Sequence, residues 1–599
     1  MTLRVWAPDR STVEALLGPH GELRLPMERE TGGWWALEIP PEAPRSDGEV
    51  DYAFSLDGGE ALADPRSAWQ PAGVAGPSRT FDVARHAWQD SGWAGPRDGR
   101  GIPGGVIYEL HVGTFTPEGT LDAAIGRLDH LVALGVDAVE LMPVAGVPGR
   151  WNWGYDGVAL WAVHAQYGGP AVLQRFVDAC HARGLGVILD VVHNHLGPSG
   201  NRLGEFGPYF TDAHVTPWGP AVNLDQPGSA EVRAFVIGSV LRWFRDFHVD
   251  GLRLDAVHEL RDDSERHVLA EMADAVAELS EELGRPLDLI AESDVNDPRT
   301  VMPTTFGGLG MSAQWADDVH HALHVVATGE TQGYYGDFAG RNDTWSEGGS
   351  LSVLAKVLTE VFLHDDRWSS FRGARWGHPV DRSATSGHRF VAYAQTHDQV
   401  GNRATGDRIG HHGDTGRLAA VTALYVLSPF TPMVFMGEEW GASTPFQFFT
   451  DFDDPELAEA VRTGRRAEFA SHGWAAEDVP DPQDPVTRDA STLRWEEIEQ
   501  EPHRSLLAWH RVLIALRRSH PDAADGDLAA TSCVFDEDAG WFVMRRGSVH
   551  VVCGFGEGRQ EVDVAGVRHE LTGWGERSVD AATGRVLIDG AGVAVVEVG

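Results

Sequence analysis

Three carboxylates lie at the ends of predicted β-strands, where charged side chains can carry acid–base and nucleophilic chemistry. They are Asp255 in GLRLD (251–255), Glu292 in AES (291–293) and Asp398 in THD (396–398). Buried carboxylates are costly unless they are paired, so a purely structural role explains three of them poorly. One carboxylate can attack an anomeric carbon while a second protonates the departing oxygen, and the third can stabilise developing positive charge, which favours glycoside chemistry.

Arg253 lies two residues before Asp255, so both side chains project from the same face of a strand. A guanidinium next to a carboxylate favours the ionised form, which is the form that a nucleophile needs. A buried ion pair without a catalytic role is an alternative for Arg253, and a structural hydrogen-bonding role is an alternative for Asp190.

Histidines near the predicted strand ends raise the question of a metal site. The run 190–195 (DVVHNH) contains an H-x-H pair, but no third ligand is defined, so zinc is not predicted. The pairs His320-His321 and His411-His412 are interpreted as loop or surface residues.

The elements that must position these residues alternate between strands and helices from residue 106 onward. Such alternation requires parallel strands with helices outside them. Eight strand–helix units predict an α/β fold with a closed (β/α)8 TIM barrel, in which chemistry is found at the carboxyl ends of the strands. The predicted barrel strands are 106–115, 138–144, 186–192, 251–257, 287–293, 313–315, 389–396 and 433–436.

Smaller β-domains are predicted on both sides of the barrel. Residues 1–90 contain short alternating strands and predict an N-terminal β-sandwich, and residues 91–105 have the Gly and Pro content of a linker. The barrel with its insertions is assigned to residues 106–521, and residues 522–599 return to short strands and predict a C-terminal β-sandwich.

Acidic residues dominate the composition. The 599-residue chain carries 89 Asp and Glu against 48 Lys and Arg, a formal net charge of −41. Such a surface repels phosphate backbones and anionic membranes, so no nucleic-acid or membrane partner is predicted. The 21 Trp residues fit a sugar site, because indole faces stack on apolar sugar faces, and Trp151, Trp153 and Trp218 are predicted in loops after strands.

Cysteine usage and targeting signals indicate a reducing compartment. The three cysteines, Cys180, Cys533 and Cys553, are too few and too far apart for a disulfide scaffold or a four-cysteine zinc site. Residues 1–10 lack the basic and apolar segments of a signal peptide. The apolar stretch 418–436 contains two prolines and is interpreted as a buried helix followed by a buried strand, so we predict a cytoplasmic protein.

The carboxylate segments resemble those of the α-amylase superfamily of glycoside hydrolases. Four segments match in the family's order: DVVHNH at 190–195, GLRLD at 251–255, AES at 291–293 and THD at 396–398. The resemblance runs over roughly residues 105–520, and the flanking β-domains also fit the family. It implies a retaining glycoside hydrolase that needs no organic cofactor.

Longer runs resemble one branch of that superfamily, whose members hydrolyse maltooligosyltrehalose. The runs are RWNWGYDG at 150–157, LIAESDVNDP at 289–298, FLHDDR at 362–367, THDQVGNR at 396–403 and PFQFFTDFDDP at 445–455. Such enzymes cleave the α-1,4 bond next to the terminal trehalose and release trehalose and a shortened maltooligosaccharide. The resemblance leaves the oligomeric state open.

The resemblance also implies a role for each residue that matches the family's motifs. Asp255 is expected to be the nucleophile, Glu292 the acid/base and Asp398 the stabiliser of the transition state. The remaining matches are expected to bind sugar: Tyr155, His195, Arg253 and His397 around the cleaved glucose, and His258 and Glu259, with Gln399 as a further candidate, towards the departing trehalose. Asn194 matches a calcium-binding position of many amylases, but no accompanying ligand set is found, so no metal site is predicted.

Two other functions are compatible with parts of this pattern. A glycogen branching enzyme shares the barrel, the three carboxylates and an amino-terminal β-domain, and it uses a sugar instead of water as the acceptor. A non-catalytic glycan-binding protein on the same barrel requires the loss of at least one carboxylate, and all three are present. Product analysis on maltooligosyltrehalose distinguishes these functions.

Overall fold

Eight parallel strands form a closed barrel at the centre of the computed structural model, which describes residues 1–412, 414–470, 475 and 478–599. Each strand pairs with the next along the chain, and the eighth closes on the first. The barrel strands are Ile107–Leu110, Ala138–Leu141, Gly186–Val191, Gly251–Leu254, Asp288–Ala291, Ala313–Trp315, Phe390–Ala392 and Thr431–Phe435. The predicted (β/α)8 barrel is therefore confirmed.

Side chains that point into the barrel form an apolar layer below a polar one. Successive side chains of a strand point to opposite faces, so residues two apart share the interior. The apolar layer is a buried cluster that contains Ile107, Ala138, Ile188, Ile290, Ala313, Val391 and Met433. Two residues further along the first three strands stand Glu109, Glu140 and Asp190. The apolar layer closes the barrel to water, and charged residues gather at the carboxyl ends of the strands.

Helices cover the outside of the barrel. They include Leu121–Ile125, Leu128–Leu134, Pro170–His181, Ser229–Phe247, Val268–Leu283, Asp317–Thr328, Ser350–Glu360, Thr415–Val426 and His503–Ser519. The buried residues of Ser229–Phe247 recur every three or four positions, as expected for a helix with one face on the barrel. Gly135 ends the helix Leu128–Leu134 in a left-handed conformation with φ 98°, which glycine adopts without strain.

Antiparallel sheets flank the barrel in sequence on both sides, and on the C-terminal side the strands form a single six-stranded sheet where the sequence predicts a sandwich. The N-terminal domain has one sheet of Thr2–Trp6, Trp34–Glu38 and Glu28–Arg29, and a second sheet of Leu23–Pro26, Val13–Leu17, Asp51–Leu56, Ala61–Leu62 and Ser78–Arg79. The C-terminal sheet consists of Thr531–Asp536, Trp541–Arg546, Val549–Gly554, Arg559–Asp563, Val567–Asp580 and Arg585–Val598. Arg417 of the barrel donates a 2.8 Å hydrogen bond to the carbonyl of Phe555, which ties this sheet to a barrel helix.

The apolar stretch 418–436 forms most of the helix Thr415–Val426 and then the strand Thr431–Phe435, as predicted. Both elements are almost entirely buried in the barrel domain. Within the described part of the chain, no helix combines the length and the apolar character that crossing a bilayer requires.

Long insertions follow the third and sixth barrel strands and rise above the carboxyl ends of the barrel. The first insertion contains the hairpin of Phe210–Thr216 and Gly219–Val222. The second contains Asp317–Thr328, the 3-10 segment Gly333–Ala339, Ser350–Glu360 and the hairpin of Arg367–Ser369 and Ala374–Trp376. These segments supply the walls of a cavity over the barrel.

Candidate active site

A cavity of about 610 Å³ opens at the carboxyl ends of the barrel strands. Asp255, Glu292 and Asp398 all line it, so the structure brings together three carboxylates that are up to 143 positions apart in the sequence (398 minus 255). Asp255 and Glu292 directly follow the fourth and fifth strands, and Asp398 lies beyond the seventh. Their placement follows from the parallel barrel, in which all carboxyl ends face the same side.

Arg253 organises the first two carboxylates. Its Nη1 donates to Asp255 Oδ1 at 2.8 Å, and its Nη2 lies 3.7 Å from Glu292 Oε2. Asn194 Nδ2 donates to Asp255 Oδ2 at 3.0 Å and to the Asp255 carbonyl at 2.7 Å. The Asp255 carboxylate is thus held between a cation and an amide.

Glu292 lies in a different electrostatic environment from Asp255. Burial raises the pKa of Glu292 well above its ordinary value; Arg253 lowers it, and Asp255 and Asp317 raise it again. The backbone N–H of Ala256 donates to Glu292 Oε2 at 2.7 Å and fixes the direction of the carboxyl group. Two adjacent carboxyl groups of this kind can divide the roles of nucleophile and proton donor.

Asp398 is positioned by a short helix, His397–Gly401, that begins directly after Thr396. The Thr396 hydroxyl accepts the Asp398 N–H at 3.2 Å and caps the helix. Asn402 Nδ2 donates to Asp398 Oδ1 at 2.6 Å. The remaining side of the Asp398 carboxylate faces the cavity, where it can meet a sugar.

Tyr155 and His397 form one side of the cavity, as expected. Their rings stack with centroids 5.1 Å apart and an interplanar angle of 21°. The Tyr155 hydroxyl lies 2.6 Å from Asp190 Oδ2 and 2.8 Å from His397 Nε2. Asp190 also accepts from Arg253 Nη1 at 2.8 Å, so Asp190 joins the hydrogen-bonded chain that reaches Asp255.

His195 and Trp218 form an aromatic rim on the cavity. The two rings stack with centroids 4.0 Å apart and an interplanar angle of 7°. Trp218 is 50% exposed, although exposure of an indole to water is unfavourable. An exposed indole at the edge of a cavity is suited to stacking on the apolar face of a sugar.

His258 and Gln399 line the cavity, but Glu259 does not, contrary to the expectation that it faces the substrate. Glu259 is 7% exposed and accepts from Arg261 Nη2 at 2.9 Å. The segment Val257–Glu259 is a 3-10 turn, in which consecutive side chains are rotated by about 120°. In this turn the rotation leaves His258 facing the cavity and directs Glu259 away from it.

Asp317, Asp318 and His321 also line the cavity, and the sequence did not indicate them as site residues, whereas the run 364–366 is a weaker candidate for the trehalose side and His364 does line the cavity. Asp317 and Asp318 open the helix Asp317–Thr328 directly after the sixth barrel strand, so attention to that strand end would have found them. The interpretation of His320-His321 as loop or surface residues is wrong, because both lie in this helix and His320 is 2% exposed. The same interpretation is confirmed for the pair His411-His412, which is exposed.

His364 connects the wall of the cavity to the sixth-strand helix. Its Nε2 lies 3.0 Å from Asp337 Oδ2, and its backbone N–H donates to Asp318 at 3.0 Å. Burial lowers the pKa of His364, but the neighbouring Asp318 and Asp337 carboxylates outweigh it and raise the pKa to about 9. A protonated imidazole between two carboxylates makes this wall rigid and polar.

The three cavity carboxylates are hydrogen-bonded to protein groups. Among the described residues, one trio of His214, Asp225 and Asp263 has a spacing that could hold a metal ion, and none of its members lines the cavity. Asn194 directs its amide nitrogen to Asp255 and its Oδ1 to His195 Nδ1, 2.5 Å away.

We therefore predict that turnover survives extensive treatment with EDTA, because carboxylates and a guanidinium supply the charges of the site. The measurement is the rate of sugar release before and after chelation at moderate temperature. A lower unfolding temperature with intact turnover would indicate a structural cation. Turnover that vanishes with EDTA and returns with a divalent metal would contradict the carboxylate mechanism.

Comparison with known proteins agrees with this fold. The family model for the alpha amylase catalytic domain matches residues 82–205. The structure is similar over 100% of this chain and 97% of the other to a Salmonella typhimurium protein assigned as an alpha amylase, with a TM-score of 0.88 and 36% identity. The barrel thus belongs to the α-amylase superfamily of glycoside hydrolases.

Relatives with higher sequence identity assign this chain to a particular family within the superfamily. A malto-oligosyltrehalose trehalohydrolase from Arthrobacter ramosus is 52% identical and covers 99% of this chain and 98% of its own length. Another from Rhizobium sp. (strain M-11) is 51% identical and covers 92% of this chain and 90% of its own length. This chain belongs to the malto-oligosyltrehalose trehalohydrolase family.

The branching enzymes are more distant. A 1,4-alpha-glucan branching enzyme from Xanthomonas campestris is 28% identical over 70% of this chain and 65% of its own length. The predicted relationship to the trehalohydrolases, rather than to the branching enzymes, is therefore confirmed.

Proposed function

We propose that this chain hydrolyses the α-1,4-glucosidic bond next to the terminal trehalose of maltooligosyltrehalose and releases trehalose and a maltooligosaccharide. The observation that carries the proposal is the contact of one guanidinium with two carboxylates inside the cavity. Arg253 lies 2.8 Å from Asp255 and 3.7 Å from Glu292, and family membership supplies the substrate. A net charge of −41 is compatible with a neutral sugar, and a cytoplasmic location stays a prediction.

In the proposed mechanism, Asp255 attacks the anomeric carbon while Glu292 donates its proton to the oxygen that leaves with trehalose. The covalent glycosyl intermediate is then hydrolysed by a water from which Glu292 removes the proton. Retaining pairs have carboxyl groups about 5–5.5 Å apart. The common contact with Arg253 supports a close pair, so the new reducing end should form first as the α-anomer.

The residues around this pair are proposed to hold the glucose that is cleaved. Tyr155, His195 and His397 offer ring faces and hydrogen-bonding groups on one side of the cavity. Asp398 stands where its charge can stabilise an oxocarbenium-like transition state, in which the sugar becomes positive. Their common function is to bind the distorted sugar more strongly than the resting one.

Product analysis with maltopentaosyl trehalose tests the proposal. A trehalohydrolase yields trehalose and maltopentaose in equal amounts, which sugar chromatography resolves. A branching enzyme would instead produce longer branched glucans without stoichiometric trehalose. A non-catalytic glycan-binding protein would leave the substrate unchanged.

His258→Ala should lower kcat/KM for maltooligosyltrehalose by about tenfold or more relative to a maltooligosaccharide of equal length. The glucose on the other side of the bond is the same in both substrates, so discrimination depends on groups that face the departing disaccharide. A site that hydrogen-bonds particular hydroxyls leaves polar groups unpaired when those hydroxyls are displaced. The measurement is the ratio of the two kcat/KM values.

Glu259→Ala is the matched comparison, because Glu259 is the next residue but pairs with Arg261 outside the cavity. We expect a smaller change in the specificity ratio for this variant. Equal losses on both substrates in His258→Ala would remove His258 from the trehalose side of the site.

A further inference from the structure

Two glutamates stand side by side in the barrel interior, beneath the cavity, and have different environments. Glu109 and Glu140 are paired in register on the first and second strands, and each is 1% exposed. Within the described residues, neither carboxyl oxygen of Glu140 has a hydrogen-bond partner. Burial raises the pKa of Glu140 well above its ordinary value, so Glu140 is held as a neutral acid.

Glu109, in contrast, makes two hydrogen bonds to His397. Its Oε1 lies 2.5 Å from His397 Nδ1, and its Oε2 accepts the backbone N–H of His397 at 3.1 Å. Asp398 is the next residue in the chain, so the second contact also anchors the segment that presents the third cavity carboxylate.

The hydrogen bonds around Tyr155 assign the protons of His397. The Tyr155 hydroxyl has a single proton and lies close to both Asp190 Oδ2 and His397 Nε2. When that proton goes to the Asp190 carboxylate, the Tyr155 oxygen must accept from His397 Nε2. Because Nδ1 faces the Glu109 carboxylate, His397 then donates from both nitrogens and is an imidazolium.

Several charged or titratable groups act on His397. Burial lowers the pKa of His397. The Glu109 carboxylate raises it through its charge and its hydrogen bond, and the charge of Asp398 raises it further. The positive charge of Arg253 opposes this, but the pKa of His397 remains above its ordinary value. The groups that face this part of the site are Glu109, Glu140, Tyr155, Asp190, Arg253, Asp398 and the buried His111. Burial lowers the pKa of His111 to about 3, so His111 adds no charge at neutral pH.

We propose that Glu109 is a positioning residue, which holds His397 doubly protonated. The protonated His397 directs the Tyr155 hydroxyl at Asp190. This orientation fixes the hydrogen bonds that run from Asp190 through Arg253 to Asp255. Glu109 itself does not line the cavity, so it acts through His397 and Tyr155 rather than on the sugar. The inference rests on the proposed hydrolase and adds one residue to its machinery. Its partner in register, Glu140, has no such function.

Glu109→Gln tests this, because the amide has the same shape but cannot neutralise an imidazolium. The pKa of His397 should fall, so that His397 stays protonated at low pH and loses its Nε2 proton as the pH rises. We expect kcat to fall by about 10- to 100-fold at pH 8, a size typical of misplaced catalytic groups, with KM little changed. The ratio of variant to wild-type kcat should approach one towards pH 5. Glu292, and Asp190, whose pKa burial raises to about 6, titrate in both proteins, so this ratio separates their titration from that of His397.

Glu140→Gln is the matched control, since it replaces one neutral buried group by another at the position directly opposite. Its kcat ratio should stay near one at every pH. A pH-independent ratio for Glu109→Gln, or the same pH dependence in Glu140→Gln, would overturn the proposal. Wild-type turnover tests the proposed function, whereas these ratios test Glu109 alone.

Glu109→Asp provides a second variant in case Glu109→Gln does not fold. The shorter side chain keeps the negative charge but withdraws it from His397, so kcat should fall less and its pH dependence should match the wild type. A loss that grows with pH in Glu109→Asp would contradict the proposed function of the charge.

Discussion

Asp255→Asn is expected to lower kcat by about 10⁴-fold or more, the loss that is usual when the central member of a catalytic set is removed. The amide keeps the size of the side chain and the hydrogen bond from Asn194, but it cannot form a stable glycosyl intermediate. Sugar binding should remain close to wild type, because the walls of the cavity are unchanged. Turnover and the dissociation constant of the product maltooligosaccharide are the two measurements.

The matched control for this variant is Asp250→Asn at the other end of the same strand. Asp250 is fully buried and accepts from Trp93, Arg285 and the backbone of Val187. It lies on the amino side of the barrel, where loss of a charge should lower the unfolding temperature and leave kcat nearly intact. If Asp255→Asn keeps more than a few per cent of wild-type activity, Asp255 is not the nucleophile.

Glu292→Gln is expected to lower kcat on the natural substrate by about 10²–10⁴-fold, the usual contribution of a general acid. A maltosyl fluoride should be a far better substrate for this variant, because fluoride leaves without a proton. Added azide should then speed the second step, since azide attacks the intermediate without needing a base. The product should be the α-glycosyl azide, formed by a second inversion at the anomeric carbon.

The pH profile provides an independent check on Glu292. Its raised pKa means that the carboxyl group is protonated at low pH and loses its proton as the pH rises. Wild-type activity should therefore fall on the alkaline side as Glu292 ionises, and that fall should be absent in Glu292→Gln acting on the fluoride. Asp288→Asn, at the amino end of the same strand, is the control and should keep the wild-type profile.

An unchanged alkaline limb in Glu292→Gln would assign the titration to another group. Asp317 is the first alternative, because burial raises its pKa to about 7 and it also lines the cavity. Failure of azide to accelerate the variant would remove Glu292 from the role of acid/base.

The sequence by itself determined the barrel, the flanking β-domains and the three carboxylates. The alternation of strands and helices is a local property of hydrophobic patterning, and parallel strands must place their carboxyl ends on one side. Asp255 and Glu292 directly follow barrel strands, and Asp398 lies a few residues beyond another strand at the same end of the barrel. The order of predicted strands therefore locates all three carboxylates before any contact is known. Arg253 is predictable for the same reason, since a two-residue spacing on a strand sets its direction.

Tertiary structure alone decided which neighbours these residues meet. The contact of Glu109 with His397 joins residues 288 positions apart, and the cavity positions of His321 and His364 depend on how the sixth-strand insertion folds back. The position of Glu259 outside the cavity depends on the rotation of a single 3-10 turn. Strand periodicity carries no information about such contacts, because loop conformation and side-chain packing are set by groups that are distant in the sequence. The protonation of the buried charged residues depends on those same distant groups.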